Sequence, residues 1–314
     1  DGVNPFRVKF ENGEEKLLWT FGDTILGEWK KPITAAETLK FSDITDMKAM
    51  PSNSLALSDI PTKRNIEKLK FVFYSENGET TQFIKYKKNE SPFLLRLWAN
   101  GGVQIAKTAY VYYMRIKTCK NSDFDVSGTE LAKSPVPEKP DINAFTFKRV
   151  ENFHIPGIIL GDSVLRSFSK NYVFLSGRTA KDGKKYVYLS LAKVKARNIE
   201  QSDKYLYLSQ DGKWSGKPGK FIGDISGEAS LVYDEYDKIF RIIYMSLSEQ
   251  SVKCLTFSNI ENLPESKPKT LFKPEKKKGI LYYSAKEIHH TPESIYIIYM
   301  NPSIYQPMLA KIEK

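Results

Sequence analysis

An all-β chain, built as a sandwich, a barrel or a propeller, is what this sequence predicts. Three observations carry the expectation. Aromatic residues make up 13% of the chain, with 18 Tyr and 18 Phe. Tyr, Phe, Val, Ile and Thr recur in short runs with period-two alternation, the pattern of strands that bury one face. Turn residues separate the runs, and sustained helical periodicity is scarce.

In chain order the clearest runs are 16–21, 69–74, 109–117, 172–176, 186–193, 230–233, 240–245, 252–257, 280–284 and 294–300. Glu11-Asn12-Gly13, Asn77-Gly78, Lys181-Asp182-Gly183 and Asp211-Gly212 lie between them. These are hairpin signals, because Gly and Asn adopt positive φ at little cost. The runs fall into five clusters, at 1–60, 61–120, 150–215, 220–260 and 278–314, each able to supply one four-stranded antiparallel blade. Ser134-Pro135-Val136-Pro137-Glu138-Lys139-Pro140 is extended and Pro-rich. Strands look alike on both sides of it, so it reads as a crossing between blades, and residues 1–314 read as a single domain.

The length of 314 residues and the 41% apolar content suffice for a sizeable core and argue against wholesale disorder. No apolar run approaches the ~20 residues of a membrane helix. No signal peptide is visible, and the chain opens on Asp1-Gly2 without an initiator Met, which reads as a processed product. Net charge is +11, favouring anionic partners, with Lys276-Lys277-Lys278 the densest basic run. A helix-turn-helix, an RNA-recognition signature and an arginine-rich arm are all missing, so nucleic acid is not expected. Cys119 and Cys254 form either one long-range disulfide or two free buried thiols. His154, His289 and His290 cannot make a His-Glu-x-x-His site, and Gly-x-Ser-x-Gly and Gly-x-Gly-x-x-Gly are absent. No metal and no cofactor are expected.

One stretch stands out. In Leu18-Trp19-Thr20-Phe21-Gly22-Asp23-Thr24 an apolar strand runs straight into Gly-Asp-Thr, which puts a carboxylate at a strand end. Upstream, Asp1-Gly2 precedes the β-like Phe6-Arg7-Val8-Lys9-Phe10. If the two strands pair, Asp1 and Asp23 approach each other at one rim. This arrangement resembles the signature of the five-bladed propellers called "domain of unknown function 4185" and their relatives, part of which form glycoside hydrolase family 183, the endo-D-arabinanases. Later segments are similar in the same order: Asn53-Ser54-Leu55-Ala56-Leu57, Leu97-Trp98-Ala99-Asn100-Gly101-Gly102, Gly161-Asp162-Ser163-Val164, Gly227-Glu228-Ala229-Ser230 and His290-Thr291-Pro292-Glu293. Ala99 stands where the family usually has Pro, and the last segment carries one insertion.

The resemblance implies a closed five-bladed propeller and a glycoside hydrolase-like activity on a polysaccharide, arabinan-type among the substrates. Glycosidic hydrolysis uses two carboxyl groups, ~5–5.5 Å apart for retention and ~6.5–9.5 Å for inversion. The resemblance makes Asp1 and Asp23 that pair. Asp162 and Glu228 share a Gly-acid context, suited to binding sugar hydroxyls or to raising a neighbour's pKa by repulsion. Asn53, Trp98 and His290 join them as substrate-binding candidates, Trp98 by stacking on a sugar ring. The alternative is a non-catalytic carbohydrate-binding or scaffold propeller of the cell envelope. Either reading implies a glycan partner, anionic given the charge, and a monomer that is secreted, periplasmic or at the cell surface.

Overall fold

The computed structural model describes residues 2–29, 44–118, 124–167, 171–181, 185–275 and 279–314. Five antiparallel sheets follow one another along the chain as the blades of a propeller. Blade 1 holds β1 (Asn4–Lys9), β2 (Glu15–Phe21), β5 (Ser54–Ser58) and β6 (Val72–Phe73). Two small hairpins accompany it: β3 (Leu26–Trp29) with β4 (Ile44–Ala49), and β7 (Ser75–Glu76) with β8 (Glu79–Thr80). Blade 2 holds β9 (Leu95–Ile105), β10 (Thr108–Thr118), β11 (Phe124–Pro135), β12 (Lys148–Arg149) and β13 (Ile155–Pro156). Blade 3 holds β14 (Ile158–Ser167), β15 (Tyr172–Lys181), β16 (Lys185–Lys195), β17 (Leu206–Leu208) and β18 (Trp214–Ser215). Blade 4 holds β19 (Ser230–Asp234), β20 (Ile239–Met245), β21 (Val252–Phe257) and β22 (Lys269–Phe272). Blade 5 holds β23 (Tyr283–His290), β24 (Ser294–Asn301) and β25 (Gln306–Glu313). The expected five blades are there, but they carry three to five strands rather than a uniform four.

The first strand of each blade lies innermost, since β1, β9, β14, β19 and β23 pack on one another around the axis. The second strand is sandwiched between neighbouring blades, so its sequence is apolar on both faces: β10 is buried from Ala109 to Met114. The outermost strand of blade 5 alternates half-buried and exposed along its whole length. Apolar layers fill the seams between blades. Phe6, Leu18, Leu55, Leu97 and Val111 join blades 1 and 2, and Leu131, Leu160, Val173 and Leu175 join blades 2 and 3. Burying each such side chain contributes about 1.5–3 kcal/mol.

Polar links at the axis tie each blade to the next. Thr20 donates to the Asn100 carbonyl at 2.5 Å, and the Asn100 amide donates to the Leu160 carbonyl at 3.0 Å. Ser176 donates to the Ala229 carbonyl at 2.9 Å, and the Glu287 N–H donates to Ser230 at 3.0 Å. The ring closes where Lys286 Nζ donates to Asn4 Oδ1 at 2.8 Å.

The Pro-rich segment does not cross from one blade to the next. It connects the third and fourth strands of blade 2, and Val136 packs into the layer shared with blade 1. The Glu138 carbonyl accepts the Asn12 N–H at 3.1 Å. Cys254 is a buried free thiol that burial pushes up to about 12, while Cys119 and Lys276-Lys277-Lys278 lie outside the described residues. No described helix is long and apolar enough to cross a membrane.

Candidate functional site

The expected pairing of the first two strands is present, with Asn4 opposite Thr20. The end of β2 therefore lies beside the start of β1, and Asp23 follows that end at the upper rim of the axis. A Cβ on Gly2 would stand 3.5 Å from Glu228 Oε1 and 3.6 Å from Gly22 N. Glu228 thus faces the Gly22-Asp23 segment across Gly2. Asp162 sits one blade further round, close enough to Glu228 for their charges to interact.

Local backbone explains two of these positions. Gly161 has φ +88°, and a Cβ there would stand 2.5 Å from Tyr112 Cβ. The register slips between Leu160 and Ser163, and this bulge re-aims Asp162. Gly227 has φ +76°, and a Cβ there would collide with the Ser284 hydroxyl. Only glycine combines that conformation with so close an approach.

Each carboxylate meets a different cation. Arg96 lies 2.9 Å from Asp23. Arg178 grips both oxygens of Asp162, at 2.8 and 3.0 Å. Lys286 Nζ is 3.9 Å from Glu228, and the Ser284 hydroxyl donates to the same carboxylate. Ser284 in turn accepts the Glu228 backbone N–H at 3.3 Å.

These surroundings drive the acids apart. Burial pushes Asp162 up to about 6, with Arg178 opposing and the Glu228 charge assisting. Burial would also raise Glu228, but Lys286, Arg178 and Ser284 bring it down to about 2. Asp23 is raised by burial, against the pull of Arg96 and the Trp98 indole. Lys286 is lowered by burial, with Glu228 and Asp162 acting against the shift. Tyr283 and Tyr305 complete the rim. Burial holds both phenols protonated far beyond neutral pH, and each senses the charges of Asp23 and Glu228.

The structure sorts the sequence candidates. Asp23, Asp162, Glu228 and Trp98 come together at the upper axis. Asp1 lies outside the described residues. Asp162 is not placed to bind a sugar, because its fully buried carboxylate is spent on Arg178. Asn53 is 0% exposed and works as a tie between blades: its carbonyl accepts the Phe83 and Ile84 N–H groups, and its amide donates to the Leu97 carbonyl at 3.1 Å. His290 is at the other end of the axis. It lies six residues along the bulged strand β23 from Ser284, at most roughly 20 Å at the usual strand rise. There its Nδ1 is 2.8 Å from Glu287 and its Nε2 is 2.9 Å from Glu235.

Sequence reasoning missed Arg96, Ser284, Lys286, Tyr283 and Tyr305. Ser284 and Lys286 alternate on an inner strand, which is a usable signal, but among 48 Lys and Arg a buried lysine looks like any other. A cavity of about 1370 Å³ reaches from Asp162 and Lys286 past Arg7, Gln104 and Arg166 to His289 and His290, and extends into the seam between blades 3 and 4 at Phe174 and Phe240. At its lower end Asp234, Glu235 and His290 offer metal-ligand atoms within 4.8 Å of one another. Arg241 and Lys314 pair with Asp234 Oδ2 there.

A family model described as "Domain of unknown function (DUF4185)" matches residues 7–310. The chain belongs to this family. No curated protein sequence matches this DUF4185 chain. Among solved structures, a Bacteroides ovatus ATCC 8483 protein classed as a hydrolase superposes with a TM-score of 0.70 at 15% identity, over 99% of this chain and 85% of that one. An exo-β-1,3-galactanase from Phanerochaete chrysosporium gives 0.56 at 10% identity, over 99% of this chain and 60% of that one. An endo-arabinase from Bacteroides thetaiotaomicron VPI-5482 gives 0.50 at 11% identity, over 99% and 93%. At these identities the likeness is one of fold: the DUF4185 chain has the propeller on which glycoside hydrolases are built.

Proposed function

We propose that the protein is a glycoside hydrolase acting on a polysaccharide, with Asp23 and Glu228 as its reacting carboxyl groups and Asp162 tuning them. One observation carries the reading. Three acids from blades 1, 3 and 4 converge at the upper axis, and their surroundings separate their protonation. Glycosidic cleavage needs that separation, since one carboxyl must protonate the departing oxygen while an ionised one attacks the anomeric carbon or activates water.

In this scheme Glu228 is the ionised partner, kept so by Lys286, Arg178 and Ser284. Asp23, raised by burial, is the proton donor. Tyr283 and Tyr305 stay neutral and donate hydrogen bonds to sugar oxygens. Trp98, already packed edge-on against Phe124 at 5.2 Å, borders the same place. Asp1, which the sequence resemblance pairs with Asp23, belongs in the same test. The net charge of +11 supports an acidic glycan of the cell envelope or exterior.

The test is hydrolysis of a polysaccharide panel that includes D-arabinans and uronate-bearing glycans. Wild type should release oligosaccharides from at least one member. Asp23→Asn and Glu228→Gln should each lower turnover about 10²–10⁴-fold while the fold is retained. An equal loss in Asp1→Asn would add Asp1 to the reacting groups. Saturable binding without turnover would favour the carbohydrate-binding alternative, and neither binding nor turnover would overturn both.

A further inference from the structure

The closing seam, between blades 5 and 1, holds an open slot of about 450 Å³. Its walls are apolar: Trp19, Phe21, Phe71 and Phe73 from the blade 1 side, Ile298 and Leu309 from blade 5. Trp19 is 1% exposed and fixed by a 2.8 Å hydrogen bond from its indole N–H to Ser58. Phe71 packs edge-on against it at 5.2 Å, and Phe73 lies 5.7 Å from Phe21. Phe71 is 39% exposed and Leu309 41%, so apolar surface continues to the mouth. Polar residues line the slot too: Asp23, Thr24 and Tyr305, with Glu67 and Gln306.

We infer that this slot takes the apolar aglycone of an amphipathic glycoside, an alkyl or aryl group, with the attached saccharide placed at Asp23. Two features select that occupant. Aromatic and aliphatic walls hold apolar matter well and water poorly, as dry apolar cavities do. A purely apolar guest, however, would strip water from the Asp23–Arg96 ion pair, which is costly. A molecule that changes from apolar to polar along its length satisfies both. The inference rests on the reading of Asp23 as part of the saccharide site, and it narrows the substrates of that site to saccharides linked to an apolar group.

The experiment is calorimetric titration with n-butyl, n-hexyl and n-octyl β-D-glucopyranoside below their micellar concentrations, beside phenyl β-D-glucopyranoside and free glucose. In wild type each added CH₂ should raise affinity roughly threefold to fourfold. A gain with the alkyl series alone identifies an acyl-like aglycone, and a gain with the phenyl glycoside alone an aromatic one. Leu309→Trp, which fills the mouth, and Phe71→Ser, which makes it polar, should each flatten the series at unchanged circular dichroism. Affinities independent of chain length, or a series that persists in both variants, would overturn the inference. Setting the wild-type titration beside the wild-type hydrolysis panel separates the two claims. A chain-length series in a protein that hydrolyses no glycan leaves the slot standing and removes the hydrolase, while hydrolysis with a flat series does the reverse.

Discussion

At the lower end of the axis Arg241, 3% exposed, donates to Asp234 at 2.8 Å and to both oxygens of Glu287, at 2.8 and 3.0 Å. At the upper end Arg178 grips Asp162 alone, and Glu228 has its ammonium partner 3.9 Å away. Both clusters use Arg, Lys, Asp and Glu, yet they do different work. In the lower one acids outnumber the fixed cations. Asp234 also takes the Tyr236 and Asp237 backbone N–H groups and the ammonium of Lys314. Burial alone would raise Asp234, but Lys314, Arg241 and those N–H groups hold it well below the usual carboxylate range. Burial likewise opposes a proton on His290, and Glu287 and Glu235 overcome it, so His290 is raised. Every charge there has a close partner, and the cluster fastens blades 4 and 5 and Lys314 together. In the upper cluster charges balance with fewer bonds, and one acid is pushed up as its neighbour is pulled down. A cluster in which each charge is closely bonded holds structure; one whose acids are bonded unequally stores proton-transfer capacity.

The largest expected effect breaks the lower cluster. Arg241→Leu leaves Asp234 and Glu287 buried without their main cation and should cost about 3–5 kcal/mol by urea denaturation. Turnover per folded molecule should be unchanged. A loss below 1 kcal/mol, or a specific loss of turnover, would erase the distinction between the clusters.

Next comes the upper cluster. Lys286→Met removes the main cation holding Glu228 low, so the acidic limb of the pH–rate profile should move upward. The sign follows from the shift. Glu228, depressed when folded, adds stability above its unfolded value near 4.5 that is lost as pH falls toward 2. Lys286→Met should therefore weaken the protein most at neutral pH and least in acid. Asp162, raised when folded, has the opposite sign: its ionisation opposes folding above about pH 6, and this is relieved as pH falls toward 3.8.

Much of this was legible in the sequence, for reasons specific to particular residues. The runs 252–257 and 294–300 match β21 and β24, because strands buried on both faces are rich in apolar residues. The strand β11 was missed: Phe124–Pro135 is rich in polar residues and contains Gly128, and its form comes from pairing with β10 and β12. Missing it moved the expected second blade from Leu95–Pro156 to 61–120 and turned a link within a blade into a crossing. Asp162 and Glu228 could be found because a glycine precedes each, and both glycines take the positive φ that favours that residue. The role of His290 could not, since sequence does not tell which end of the axis an inner-strand residue reaches.

The smallest expected effect concerns that histidine. Raised when folded, it adds stability that is complete below pH 6.5 and is lost as pH rises through its folded value. His290→Gln should remove about 1–3 kcal/mol at pH 6 and less in alkali, read as a flatter pH dependence of the denaturation midpoint. An unchanged pH dependence would mean that Glu287 and Glu235 do not hold a proton there.

Carbon-13 NMR of labelled Asp and Glu carboxyl groups, followed from about pH 2 to pH 8, tests the separation of the axial acids directly. The expected result is a Glu228 carboxyl that protonates at about 2 and an Asp162 carboxyl that protonates at about 6 in the same sample. Two carboxyls titrating together near 4, the ordinary range, would contradict it.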